Sequence, residues 1–262
     1  MDTIINDKLT ELDRAISQYV RTDTFPLAIT IVKDETKIPK KAKRPLRDLG
    51  VRFSICQGIS VARRYGWTLA MGAEDQSCPI ARIAFGFEEE VSFYKEGNLP
   101  EGMYTKTCEL GAKTESVVPK FSKEEAGTIL MSSLSRTSFK PDIILVYGNS
   151  AQVMRMVAAA LYNGGAEITS TFSARADCAD IVIKTLQTKK PQVILPCYGD
   201  RVFGQTQDHE MAFTLPYESI DDFMEGLKGT HKGGVRYPIP VFSRYEAQFP
   251  PTYEALSRMF SE

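Results

Sequence analysis

The side chains best suited to chemistry cluster between Pro191 and Pro216, in PQVILPCYGDRVFGQTQDHEMAFTLP. Gln192 to Leu195 is a short apolar run bounded by Pro191 and Pro196, the pattern of a buried strand between breakers, so Cys197 is expected at a strand end. Gly199 reads as a tight-turn residue, Asp200 and Arg201 as a charged pair, and Glu210 to Leu215 as a second strand closed by Pro216. A cysteine beside a glycine turn, with an arginine four residues on, suits an activated thiolate or a metal ligand. It equally suits a small buried apolar residue. Gly199 and Arg201 are the candidate cofactor-binding positions, Arg201 as a positive charge beside an anionic centre; the competing role is a local ion pair with Asp200. His209 and Glu210 are placed to move a proton, or simply to meet solvent.

Other cysteines fall where helices begin. Ser54 to Tyr65 is a predicted helix with Ser54 as N-cap and Gly66 as its stop, which puts Cys56 in the first turn. Ser77 caps a helix running from Cys78-Pro79 through Phe85, and Cys178 opens a helix that reaches Leu186. Cys108 fits no such pattern. Around these lie an amphipathic helix from Ile5 to Tyr19 and strands at Pro26 to Val32, Trp67 to Met71, Pro141 to Tyr147 and Glu167 to Phe172. Thr114 to Pro119 looks extended. The capping pattern Ser122/Glu125 predicts a helix to Leu134, and further helices are expected over Ala151 to Tyr162 and Ser219 to Leu227. A proline-interrupted tail from Val241 ends in a helix from Thr252.

Residues 26–85 and 141–186 share one order of signals: proline, buried strand, helix, glycine stop, strand, polar loop, then a cysteine at a helix start. In that register Gln57 answers Gln152, Gly66 answers Gly165 and Cys78 answers Cys178. The expected fold is therefore α/β (or α+β), one domain over 1–262 with a mixed or largely parallel sheet covered by helices. It is read as two pseudo-repeated strand-helix-strand-helix halves, 26–120 and 121–216, with a tail over 217–262. Cys78 and Cys178 would face each other across the repeat, and Cys56 and Cys197 would complete a set of four. Thiolates meeting without histidine partners fit zinc or an iron-sulfur cluster. No C-x-x-C spacing supports this, and cysteines that never meet are the competing expectation.

Composition narrows the class. A net charge of -1, 25% charged and 43% hydrophobic residues describe an ordinary soluble protein, and a pI near 6.2 argues against a nucleic-acid footprint. Neither a signal peptide nor a membrane span is read, so a cytoplasmic protein is expected, where five cysteines are poor disulfide candidates. The run Ile38 to Arg47 is a basic loop, either solvated or a binder of anions. A homodimer is expected only from base rates.

The segments CQGISVARRYG, SCPIARIAFGF, SARADCADIV and LPCYGDRVFGQTQDHEMAFTLP together resemble the uncharacterised archaeal conserved region family (ArCR), a domain of unknown function of archaea and anaerobic bacteria. The resemblance runs from about Pro26 to Leu227. It implies family cysteines at Cys56, Cys78, Cys178 and Cys197 and none at Cys108, and an anaerobic distribution suits an oxygen-sensitive cluster. The first expectation is a cytoplasmic redox or electron-transfer protein with a [4Fe-4S] cluster on those four cysteines, serving a redox partner or a small-molecule substrate. The alternatives are zinc in its place, a metal-free thiol enzyme with Cys197 as nucleophile, or a module that binds small anions. That module would use the turns Gly148-Asn149-Ser150 and Gly199-Asp200. Catalytic candidates are Arg201, Asp200 and Glu210.

Overall fold

The strands follow from apolar runs too short for helices and bounded by polar turns. They are β1 (Leu27–Val32), β2 (Leu69–Met71), β3 (Thr128–Ser133), β4 (Ile143–Asn149), β5 (Gln192–Ile194) and β6 (Glu210–Pro216). The computed structural model describes residues 3–239 and 249–260, with side chains from Ile5 onward. The six strands form one sheet in the order β2-β3-β1-β4-β6-β5, and every neighbouring pair is antiparallel.

That pairing corrects the expectation of a mixed or largely parallel sheet. The cause is burial. Along β4, Ile143, Leu145 and Tyr147 enter one core while Ile144 and Val146 enter the core behind it. A strand covered on both faces reads as an unbroken apolar run whatever its direction, so composition could not report how its neighbours ran.

Helices supply both covers. The first core packs helix Ile55–Tyr65, helix Pro79–Ala84 and the helical stretch 177–188 against the sheet. The second packs Thr3–Tyr19, Ser150–Ala160 and Ile220–Lys232. The architecture is thus α+β, an antiparallel sheet between two helical layers.

The repeat register does not hold. Residues 167–172, expected as a strand, form none, and helices Ile55–Tyr65 and Ser150–Ala160 cover opposite faces. The strand order nonetheless reads alike from either edge: in each set of three, the first strand is central, the third is next to it and the second is at the rim. In chain order, helix Ile55–Tyr65 precedes rim strand β2 as stretch 177–188 precedes rim strand β5. Cys56 is therefore the positional counterpart of Cys178, and Cys78 that of Cys197.

Three local expectations also change. Residues 122–134 are no helix: Glu125 accepts a hydrogen bond from the Ser122 N–H at 2.8 Å, but the turn gives way to β3, which pairs with β1 and β2 at once. Thr114 to Pro119, expected extended, begins inside the helix Cys108–Ser116, which Thr107 caps. The stretch expected as a basic loop enters a helix at Pro45–Leu49, and its two arginines pair nearby, Arg44 with Glu35 and Glu74 and Arg47 with Asp48. Of the tail expected from Val241, residues 241–248 lie outside the described residues, and a helix spans Pro251–Met259.

Candidate functional site

The starts of four helices border one cavity on the first core's side of the sheet. Cys56 is the second residue of helix Ile55–Tyr65, whose N-terminus closes as a capping box: Ser54 Oγ accepts from the Gln57 N–H at 3.2 Å and Gln57 Oε1 from the Ser54 N–H at 2.8 Å. Cys78 is the N-cap of helix Pro79–Ala84. Cys178 is the second residue of Asp177–Ala179, which runs on into a π-helical turn, Asp180–Lys184. Such turns recur at functional sites. Cys197 is not at a strand end, since β5 stops at Ile194; it is the N-cap of helix Tyr198–Phe203. Gly199 accordingly lies inside a helix and supplies no tight turn.

All four cysteines line a single cavity of about 280 Å³, while Cys108 lies elsewhere, its thiol 3.5 Å from Asn98 Oδ1. Apolar and aromatic side chains make up most of the remaining wall, among them Ile80, Leu99, Met103, Tyr104, Tyr198 and Phe203. Burial sets the state of the thiols. It pushes Cys56 up to about 12, against the lowering effect of the Ser54 hydroxyl 3.2 Å from its sulfur. Cys178 and Cys197 are also raised, first by burial and then by the Asp177 carboxyl. These three sulfurs are protonated thiols at neutral pH unless something strongly positive joins them.

Behind Cys197 runs a buried polar chain that the sequence reading did not foresee. The Cys197 thiol donates to Asp177 Oδ1 at 3.1 Å, an oxygen that also accepts the Cys178 N–H at 2.9 Å. Asp177 Oδ2 is buried and meets no donor. Burial, then the neighbouring Asp200 charge, hold Asp177 well above the usual carboxylate range, so it carries a proton that Asp200 can share. Asp200 Oδ2 accepts from the Tyr147 hydroxyl at 3.0 Å and from Thr206 Oγ1 at 2.9 Å. The guanidinium carbon of Arg63 then stands 4.1 Å above the Tyr147 ring, and Arg63 grips Glu210 at 2.5 and 3.0 Å.

The expected Asp200–Arg201 pair does not form, because Asp200 points inward and Arg201 Nη1 donates to the Gln207 carbonyl at 2.8 Å. Arg201 does not line the cavity; Arg175 does. Glu210 is no proton donor either. Burial acts to raise its pKa, but hydrogen bonds from Arg63 and the Gln207 N–H and the charges of Arg63 and Arg64 outweigh it, and the net shift is downward. The turn Gly148-Asn149-Ser150 is occupied by its own cap, with Asn149 Oδ1 accepting the Gln152 N–H at 2.9 Å. Asp177 and Arg175 had one signal in the sequence, their place in the charged stretch ahead of Cys178. Tyr147 and Arg63 had none, falling inside a predicted buried strand and a predicted helix.

Among the described residues, no three His, Cys, Asp or Glu are grouped so as to hold a metal ion, and no helix is long and apolar enough to cross a membrane. No solved structure matches this chain. An uncharacterized protein of Methanocaldococcus jannaschii is 31% identical over 225 residues, covering 85% of this chain and 94% of the relative. The family model DUF169, uncharacterised ArCR, COG2043, matches residues 15–226, a span that takes in all six strands and the whole cysteine-lined cavity, and the chain belongs to that family.

Proposed function

We propose that this is a cytoplasmic iron-sulfur protein that carries a [4Fe-4S] cluster on Cys56, Cys78, Cys178 and Cys197 and acts in electron transfer. One observation carries the reading: four of the chain's five cysteines, none of them in a disulfide, line one cavity from the starts of four separate helices. Cysteines buried only as small apolar residues are packed by neighbours, whereas these border shared space.

The donor set fits a cluster. A thiol raised by burial ligates as the thiolate once a metal centre takes the place of its proton, which is released, and four thiolates are the usual complement of a cubane. A bound cluster supplies one-electron transfer at a potential set by its surroundings. The chain's own part is to set an apolar wall of Ile80, Leu99 and Tyr104 beside the sulfurs, and to set polar groups against individual sulfurs, Ser54 against Cys56 and Asp177 against Cys197. Zinc is the competing occupant, since four thiolates also complete a tetrahedral site, and the metal analysis below separates the two. The metal-free thiol enzyme loses its premise: the neighbour of Cys197 is Asp177 rather than Arg201, and burial moves the thiol away from ionisation.

Iron, zinc and acid-labile sulfide analysis of anaerobically purified protein tests the reading. About four irons and four sulfides per chain are expected, retained in Cys108→Ala and lost when any one of the four cavity cysteines becomes Ala. Protein prepared and reconstituted without oxygen that holds neither iron nor sulfide ends the proposal.

A further inference from the structure

Three arginines are nearly or fully buried, and they are used in two different ways. Arg63 spends its terminal nitrogens on Glu210 and Thr206, and Arg155 spends its own on Thr230 and the Leu227 carbonyl; in both, Nε is left without a partner. Arg175 is the reverse. Its Nε donates to Glu115 Oε1 at 2.6 Å, so the ion pair does not run through the terminal fork. The guanidinium carbon lies 4.1 Å from the centroid of the Tyr104 ring, which fixes the plane of the group from a second side.

Arg175 belongs to the wall of the cysteine cavity and is only 6% exposed, and beside Glu115 its side chain hydrogen-bonds the Tyr104 side chain. A guanidinium held only to tie Glu115 into the core would be expected to bury its fork on carbonyls or carboxylates, as the other two do. The cavity also has an entrance. Met103, Tyr198 and Phe203 line it yet are 77%, 69% and 57% exposed, so solvent reaches it between them. A guanidinium in the wall of an apolar, aromatic-lined opening suits a carboxylate on a flat or apolar body.

We infer that Arg175 is the anchor of a binding site for a small organic carboxylate, whose apolar part lies against Tyr104, Tyr198 and Phe203 at the mouth of the cysteine-lined cavity. The site deepens the redox reading by naming a substrate class, and it rests on that reading only for the role of the bound acid. The carboxylate recognition itself stands on Arg175.

Calorimetric titration of the full chain with sodium benzoate, with benzamide as the neutral isostere and inorganic phosphate as a plain anion, tests the inference. Benzoate is expected to bind at least about tenfold tighter than benzamide or phosphate, and Arg175→Gln to remove that preference. Because Arg175→Gln leaves Glu115 buried and unpaired, the double variant Arg175→Met/Glu115→Gln is measured beside it, and Tyr198→Asp places a repelling charge at the exposed mouth. Both are expected to stay folded by circular dichroism and to lose benzoate. Equal binding of benzoate and benzamide, or benzoate binding unchanged in the double variant, overturns the inference. Benzoate binding by protein that holds neither iron nor sulfide after anaerobic reconstitution removes the cluster and keeps the site; iron-loaded protein indifferent to benzoate keeps the cluster and removes the site.

Discussion

The Cys197 thiol rests 3.1 Å from Asp177 Oδ1, and burial and then the Asp177 charge raise its pKa. The pairing makes Cys197 a poor free nucleophile and a good ligand in waiting. In the metal-free folded chain, alkylation at pH 8 is therefore expected to be slow at Cys56, Cys178 and Cys197, whose thiols burial holds well above the usual range. Mass spectrometry after iodoacetamide treatment reads each site, and all five cysteines should label once the chain is unfolded. Rapid labelling confined to Cys197 in folded protein would favour the thiol-enzyme reading instead.

Asp177 and Asp200 share a buried site with room for one negative charge, and the hydrogen bonds say where it sits. Asp200 accepts two hydroxyls, from Tyr147 and Thr206, while Asp177 Oδ2 lacks any donor and its carboxyl is raised well above the usual range. Asp177→Asn mimics the protonated group and is expected to cost under about 1 kcal/mol. Asp200→Asn sets an amide among donors and should cost roughly 2 to 3 kcal/mol in urea unfolding. The reverse order would place the proton on Asp200.

How much of this site was legible depended on how local each signal was. Ser54 announces a helix cap and Gly66 its stop, so Cys56 could be placed in a first turn from the sequence, and Cys78 and Cys178 followed from similar signals. The Ser122/Glu125 pattern was as clear, yet the helix it announced does not form. Thr128 to Ser133 finds partners on two strands far away in the chain, and no local pattern carries that. Direction of burial was illegible for the same reason. Asp200 and Arg201 look like one charged surface pair, but one turns into the core beside Tyr147 and the other out to Gln207.

The Arg63–Glu210 pair ties the second helical turn below Cys56 to the start of β6. Breaking it by Glu210→Gln leaves a buried guanidinium unpaired and is expected to cost about 3 to 5 kcal/mol. The pH dependence has a definite sign. Glu210 titrates below its ordinary 4.5 in the folded chain, so its contribution is fully present above that value and is lost as pH falls through the lowered folded one. Wild-type protein should therefore lose stability between about pH 5 and the acid transition with a steeper slope than Glu210→Gln, as measured by denaturant midpoints across pH.

Gly204 closes the helix that carries Cys197 against the one that carries Cys56. A methyl group there would stand 2.1 Å from Asp200 Oδ1, 2.7 Å from the Asp200 carbonyl oxygen and 3.1 Å from that of Cys56. The carboxylate could swing aside, but only by giving up the Tyr147 and Thr206 hydroxyls, and the two carbonyls belong to backbone that cannot. Gly204→Ala is thus expected to destabilise by about 1 to 3 kcal/mol and to push the Cys197 helix away from Cys56. If the four cysteines act together, the same substitution lowers iron content in protein that remains folded, because the thiols on either side of the displaced contact no longer border the same space. Full iron occupancy in a destabilised but folded Gly204→Ala chain would mean that the contact between these two helices has no bearing on how the sulfurs are set.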